Sequence, residues 1–264
     1  MKTIYCLESF DLGQSQESAD FSDNKTVVTY SVQFYYTPQF AAITPDIPGF
    51  IDLVVEETNQ GYKESDVPVR VKVHCIEAAT INDTSSPSTM LSNFQGMKSS
   101  LAELKNSADA AALLVANFAA CGIAYTYTYS SGLTLSVTMK KCATGYYSFG
   151  HELGHNFGCQ HNVEAPATNP VFSYGYGYLI GKDTGILGYR TILAYNHPNH
   201  TTRVNRYSNP SINYPPTVVN PTGVVNVANN AAVLMRNRFT FAALGNETLA
   251  CKDSNITTTT TRFV

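Results

Sequence analysis

The stretch His151-Glu152-Leu153-Gly154-His155-Asn156-Phe157-Gly158-Cys159-Gln160-His161 spaces its histidines as H-E-x-x-H-x-x-G-x-x-H, and no other stretch of the chain says as much about its architecture. On an α-helix residues four apart share a face, so His151 and His155 can present imidazole nitrogens to one ion. Gly158 can take φ > 0 at little cost, which lets the helix stop and the chain turn so that His161 meets the same ion from outside. Three neutral histidines leave a fourth tetrahedral position for water, the layout of a catalytic zinc and not of a structural one. Glu152 directly follows the first ligand and lies beside the metal without being a ligand. There it can take a proton from a zinc-activated water, whose pKa falls from 15.7 to about 7, and pass it to a leaving amine. Five fixed positions coincide by chance on the order of once in 10⁵ chains of this length. HExxH alone is a far weaker signal, so Gly158 and His161 carry much of the specificity.

Working outward, two short strands are expected immediately before the motif, 122–130 and 133–140, separated by Ser131-Gly132. Upstream, the run TVVTYSVQFYYT over 26–37 is dense in β-branched and aromatic residues and stops at Pro38, a strand signature. Helix-like spacing of Phe50, Ile51, Val54, Val55 and Tyr62 predicts a helix over 48–64, and alternation of Val69, Val71 and Val73 with Arg70, Lys72 and His74 predicts a half-buried strand over 68–81. Strand, helix, strand opens an α/β unit. A second amphipathic helix is expected over 87–105, with Met90, Leu91, Phe94, Met97, Leu101 and Leu104 on one face. The apolar run 110–118 fits a buried strand or a helix, and periodicity does not separate them. Beyond the motif, 163–190 reads as a loop or irregular hairpin region, 196–222 as turn-rich, and 224–244 as a closing helix ended at Gly245.

Composition bounds the rest. With 44% apolar and 14% charged residues, the 264-residue chain can bury a core and is expected to fold as one domain over 25–246, between a polar lead-in (1–24) and a Thr-rich tail (247–264). A net charge of -3 gives no basic field for nucleic acid or an anionic membrane, and no apolar stretch is long enough to span a bilayer. Oligomeric state is open. Six cysteines leave 15 pairings open if all are bonded, and sequons stand at Asn24, Asn82, Asn199, Asn246 and Asn255. Together they favour a secreted, disulfide-bonded glycoprotein, although no signal peptide or pro-segment is visible at the start of the chain.

The motif resembles that of the metzincins, and SFGHELGHNFGCQHN over 148–162 is similar to the adamalysin/reprolysin-like group, closest to the peptidyl-Asp metalloendopeptidase-like enzymes. The likeness extends to VVEETNQGY (54–62), CGIAY (121–125), CATGYY (142–147), YRTILAY (189–195) and YSNP (207–210). It implies an α/β (α+β) fold with a mixed twisted sheet, an active-site helix, and a cleft between a large upper and a small lower subdomain. It also implies a zinc-dependent endopeptidase cutting internal bonds of a protein or peptide substrate, laid out along an edge strand at Gly122, Ile123, Ala124 and Tyr125.

Some positions depart from that pattern. Leu193 stands where the family has a methionine in the turn beneath the zinc, a swap that conserves volume and usually costs below about 1.5 kcal/mol. Asn162 stands where many adamalysins have aspartate. Tyr195, two residues past the turn, is a candidate hydroxyl donor to the developing oxyanion, with a packing role as the alternative in a chain holding 17 tyrosines. Cys121 and Cys142 bracket the two strands before the helix and are expected to pair, with a loop-closure contribution of about 3 kcal/mol. Cys159 is expected to be buried or disulfide-bonded and not a ligand, and His197 and His200 to face solvent. A contrasting reading is a catalytically weak metzincin-fold module that keeps zinc and binds proteins.

Overall fold

The computed structural model describes residues 26–97, 108–127, 134–165, 170–185 and 188–246. The lead-in 1–24, the tail 247–264, Leu101 and Leu104 of the expected second helix and the Ser131-Gly132 turn lie outside them.

A five-stranded sheet organises the chain in the order β2-β1-β3-β5-β4. Its strands are β1 (Val28–Tyr36), β2 (Val69–Ala78), β3 (Ala110–Val115), β4 (Gly122–Ala124) and β5 (Leu135–Met139). The first four in that order run parallel, and β4 lies antiparallel to β5 at the edge. Every residue of β3 is buried, because a parallel sheet covered on both faces needs apolar side chains on both. That settles the run as a strand over Ala110–Val115, with 116–118 beyond its end. Along β3 the side chains part by period two. Ala110, Ala112 and Leu114 join the larger core, while Ala111, Leu113 and Val115 join the smaller one with Leu135 and Val137.

On the larger-core face lie α2 (Ile47–Glu64), α5 (Ser148–Phe157) and α6 (Asn230–Phe241). Asp46 caps α2 by accepting from the Gly49 N–H at 2.9 Å, and Ile51, Val54, Thr58 and Tyr62 form its buried stripe. The opposite face is covered by α3 (Pro87–Gly96) through Met90, Leu91 and Phe94. Short helices α1 (Pro38–Ala42) and α4 (Lys140–Ala143) follow β1 and β5. A mixed twisted α/β sheet with helices is thus the observed class, with a smaller cluster formed by Tyr178, Ile180, Val204 and Ala228 beneath it. Strands β6 (Gln160–Asn162) and β7 (Tyr176–Gly177) pair with each other, and β8 (Leu179–Ile180), β9 (Tyr189–Arg190) and β10 (Thr202–Arg203) form a three-stranded sheet.

Four expected boundaries shift. Helix α3, expected over 87–105, ends at Gly96, where the Met97 N–H donates to the Phe94 carbonyl. The closing helix begins at Asn230, not 224, because Val224 and Ala228 exchange backbone hydrogen bonds in a turn and the Asn229 side chain then accepts from the Ala232 N–H at 3.0 Å. It ends at Phe241, and the Gly245 N–H donates to Asp109 instead of capping it. Strand β4 stops at Ala124, since Tyr127 takes φ 53° and gives its N–H to the His155 carbonyl. No helix among the described residues is long and apolar enough to cross a membrane.

Candidate metal centre and cleft

Helix α5 is buried along its whole length, wedged between the sheet and the segment 170–228, so its polar residues need a reason to be there. Gly158 ends it at φ 104°, and a Cβ there would meet the Phe172 and Tyr127 rings at 2.9 and 3.0 Å. The Asn237 amide donates to the Phe157 carbonyl and satisfies one orphan acceptor at that end. The chain then turns into β6, which carries His161 back over the helix.

The three imidazoles converge. Their Nε2 atoms lie 3.1 Å apart for His151 and His155, 3.2 Å for His151 and His161, and 3.0 Å for His155 and His161. At the far sides of the rings, His151 Nδ1 donates to the Ile192 carbonyl and His155 Nδ1 to the Cys159 carbonyl, each at 2.8 Å. A carbonyl only accepts, so both Nδ1 atoms hold the proton and both Nε2 atoms turn lone pairs toward the same point. Facing lone pairs repel unless a cation sits between them. Four-coordinate zinc with nitrogen at about 2.0–2.1 Å sets neighbouring donors about 3.3 Å apart, close to the spacing seen, so the donor set fits such an ion. Burial lowers the proton affinity of all three rings, His155 to about 4 and His161 to about 3, which keeps them neutral and available as ligands.

Glu152 occupies the wall beside this point. It is 4% exposed, makes no hydrogen bond among the described residues, and is pushed up to about 8 by burial, with the Arg203 charge pulling the other way. Its side chain lies flat on Gly122 of β4, where an added Cβ would come 2.2 Å from Oε1. No local sequence pattern marks this dependence, because the two residues are 30 positions apart. Strand β4 is fixed against α5 by Asn156, whose amide donates to the Tyr125 and Leu135 carbonyls at 2.7 and 3.2 Å. A disulfide between Cys121 and Cys142 joins the start of β4 to α4.

Leu193 is fully buried, its methyl placed where a side chain at Gly154 would be, 2.9 Å from that Cβ position. The same turn supplies the Ile192 carbonyl that holds His151. Tyr195 lines the cleft with its ring centroid 3.8 Å from that of His161, and its N–H donates to Asn162 Oδ1. Asn162 also donates to Glu164, a bond that an aspartate could not make, which accounts for the departure at this position. Cys159 is a buried free thiol whose Sγ approaches the Asn230 carbonyl. His200 departs from expectation: it is 2% exposed, because a turn closed by its N–H on the His197 carbonyl carries the ring inward.

The resulting cleft holds about 320 Å³ between β4 on one side and Tyr195 and Arg203 on the other. Arg203 was not singled out by any motif. It reaches the cleft because β10 pairs with β9 and its Nη1 donates to the Tyr146 carbonyl at 2.9 Å.

Comparison with known proteins agrees with this arrangement. The family model described as Metallo-peptidase family M12B Reprolysin-like matches residues 50–162, from α2 to the end of β6. A peptidyl-Asp metalloendopeptidase of Stenotrophomonas maltophilia (strain K279a) is 34% identical over 212 residues, 77% of this chain and 50% of the relative, so the chain spans about half of that protein's length. One of the same name from Pseudomonas fragi is 32% identical over 158 residues, 60% of this chain and 85% of the relative. A chain in a solved chaperone-substrate complex superposes with a TM-score of 0.64 over 83% of this chain and 35% of that one, at 17% identity, a likeness of fold alone. With its family match enclosing the three converging histidines and Glu152, the chain belongs to the reprolysin-like M12B metallopeptidases.

Proposed function

We propose that this chain is a zinc-dependent endopeptidase, with His151, His155 and His161 as ligands and Glu152 as the general acid and base. The observation that carries the proposal is the convergence of three Nε2 atoms beside a buried carboxylate. Zinc held there acidifies water and polarises a peptide carbonyl. The chain's own groups do the remainder. Glu152 accepts the proton of the attacking water on a carboxylate oxygen and returns it to the departing amine nitrogen. Gly122, lacking a Cβ, leaves the carboxylate its place. Gly122, Ile123, Ala124 and the adjoining Tyr125 form the sheet edge on which an extended substrate can pair its backbone, the usual form of β-strand addition. Leu193 supplies an apolar floor under the ligand helix, and Tyr195 a hydroxyl for the developing oxyanion, which Tyr195→Phe separates from ring packing on His161.

On this reading residues 25–246 are the catalytic domain. Secretion as a glycoprotein accords with the Cys121–Cys142 disulfide and with exposed sequon asparagines at 82, 199 and 246.

The decisive experiment follows hydrolysis of an unstructured protein by the metal-loaded chain, with and without chelator, beside Glu152→Ala. Chelator-sensitive cleavage that is lost in Glu152→Ala is expected. Equal turnover by wild type and mutant would end the proposal, and metal retention with no cleavage by either would favour the protein-binding module instead.

A further inference from the structure

Directly beyond His161 a polar relay leads from the cleft to the surface. The Asn162 side chain is 5% exposed and engaged at both ends: its Oδ1 accepts from the Tyr195 N–H at 2.9 Å, and its Nδ2 donates to Glu164 Oε2 at 2.9 Å. The other Glu164 oxygen accepts from Lys182 Nζ, and Lys182 also lies over the Tyr178 ring, 5.6 Å from its centroid. Burial works to raise the proton affinity of Glu164, but the bonds from Lys182 and Asn162 outweigh it and hold the carboxyl below its usual range. An ionised carboxylate only accepts, so one orientation is open to the Asn162 amide, with nitrogen toward Glu164 and oxygen toward Tyr195.

The relay joins elements that approach the histidines from two sides. Asn162 and Glu164 belong to β6 and the segment after it, whereas Lys182 follows β8, which pairs with β9. Strand β9 runs into the 191–195 turn, which holds the His151 ring through the Ile192 carbonyl and brings the Tyr195 ring centroid to 3.8 Å from that of His161. The peptide unit between residues 194 and 195 is gripped at both ends, its carbonyl by Arg190 Nη1 and its N–H by Asn162 Oδ1. An ion pair as exposed as Lys182–Glu164, with side chains at 30% and 37%, contributes little to stability by itself. Its effect here is directional, since a rotated Asn162 would set its own N–H groups against that of Tyr195 and leave a buried donor without an acceptor.

We infer that Glu164, braced by Lys182, is a positioning residue for the metal centre: it fixes the Asn162 amide so that Tyr195 and the turn under His151 keep their places. The kinetic part of this inference rests on the endopeptidase reading, and the metal affinity does not. An aspartate at 162 would accept from Tyr195 equally well but would bring a second carboxylate onto the Glu164 oxygens, and two like charges at hydrogen-bond distance drive one side chain away. Asn162 and Glu164 are thus matched as a pair. Aspartate at 162 is matched instead by glutamine at 164, whose amide donates.

The test measures zinc affinity by competition with a chelator, and kcat and KM on a quenched peptide, for the wild type, Asn162→Asp, Glu164→Gln and the double variant. Losing an outer partner of a metal site costs about 10- to 100-fold in metal affinity or activity, so Asn162→Asp is expected to weaken zinc binding and lower kcat about tenfold each, with KM within about threefold. Glu164→Gln is expected to stay within about threefold of wild type, because its carbonyl oxygen still accepts from Asn162. The double variant is expected to return to within about threefold of wild type, the two changes being coupled and not additive. A double variant as impaired as Asn162→Asp overturns the inference, because the loss then belongs to position 162 alone. Wild-type values in Asn162→Asp overturn it as well. Should Asn162→Asp fail to fold, Glu164→Leu, which leaves Asn162 without its acceptor, is expected to show the same losses of about tenfold, and wild-type values there overturn the inference. A wild type that binds zinc and cleaves no peptide removes the endopeptidase reading, and the zinc affinities then decide this inference without it.

Discussion

Replacing Gly122 by alanine isolates the placement of Glu152 from every other feature of the site. A methyl group there would lie 2.2 Å from Glu152 Oε1 and 2.6 Å from both Cδ and Cγ, where ordinary contact begins near 3.4 Å. The backbone at Gly122 is ordinary strand, so alanine itself is not strained. Relief must come from the glutamate, whose flexible side chain has to rotate and withdraw its carboxylate by at least about 1 Å. Misplacement on that scale costs about 10²-fold in rate, or about 2.7 kcal/mol of transition-state stabilisation. None of the histidines is touched. Gly122→Ala is therefore expected to keep its metal and its melting temperature within a few degrees while kcat/KM on a quenched peptide drops about 10²-fold, mostly in kcat. Full activity with full metal content would refute the reasoning, because the carboxylate would then be working from a position other than the one above Gly122. Loss of metal would refute it differently, by showing that β4 bears on the histidines.

Glu152→Gln should retain zinc, having lost no ligand, yet fall about 10² to 10⁴-fold in activity, and full activity would assign the proton to another group. Leu193→Met is expected to stay within a few-fold of wild type and Leu193→Asp to lose metal or fold, since the site is apolar and closed, and zinc loss in the methionine variant would contradict a packing role. After chelation, acid should destabilise the protein. Burial holds His155 near 4 and His161 near 3, below the ordinary 6.5, so the unfolded chain takes up protons first and stability present above pH 6.5 is lost as the pH falls below it. Glu152→Gln is the background for that measurement, because burial raises Glu152 to about 8 and its uptake of a proton in the native state would add stability over the same range. A melting temperature flat from pH 7 to 5 would contradict neutral, buried imidazoles.

What could be read from sequence was what local geometry imposes. The spacing of His151 and His155 is a property of any helix, and the need for φ > 0 at Gly158 belongs to the residue itself. β1 and β2 were visible for the same reason, their alternation or β-branched density being a one-dimensional record of the surfaces they cover. The run 110–118 was not, because a strand buried on both faces and a buried helix have the same composition, and only pairing with β1 and β5 separates them. The start of the closing helix is not legible, because Ala and Val in 224–229 satisfy a helical pattern, while the Asn229 side chain and the Val224–Ala228 turn decide where hydrogen bonding begins. Gly122 and Arg203 matter through partners 30 and 57 residues away, Glu152 and Tyr146, and no local pattern marks such contacts. The burial of His200 is hidden for the same reason, since a Pro-containing turn is usually a surface feature and here folds its ring inward.

The two walls of the cleft have separate origins. One is β4, laid down by the central sheet and locked to α5 by Asn156 and to α4 by the Cys121–Cys142 bond; the other, with Tyr195 and Arg203, comes from the turn after β9 and from β10, beyond the last histidine. The sheet register and the contact of Glu152 with Gly122 involve no residue of 196–203. On the endopeptidase reading, divergence among descendants of such a chain can retune which peptides are accepted without moving the histidines or Glu152, and libraries randomised at 196–203 should yield altered preferences more often than dead proteins.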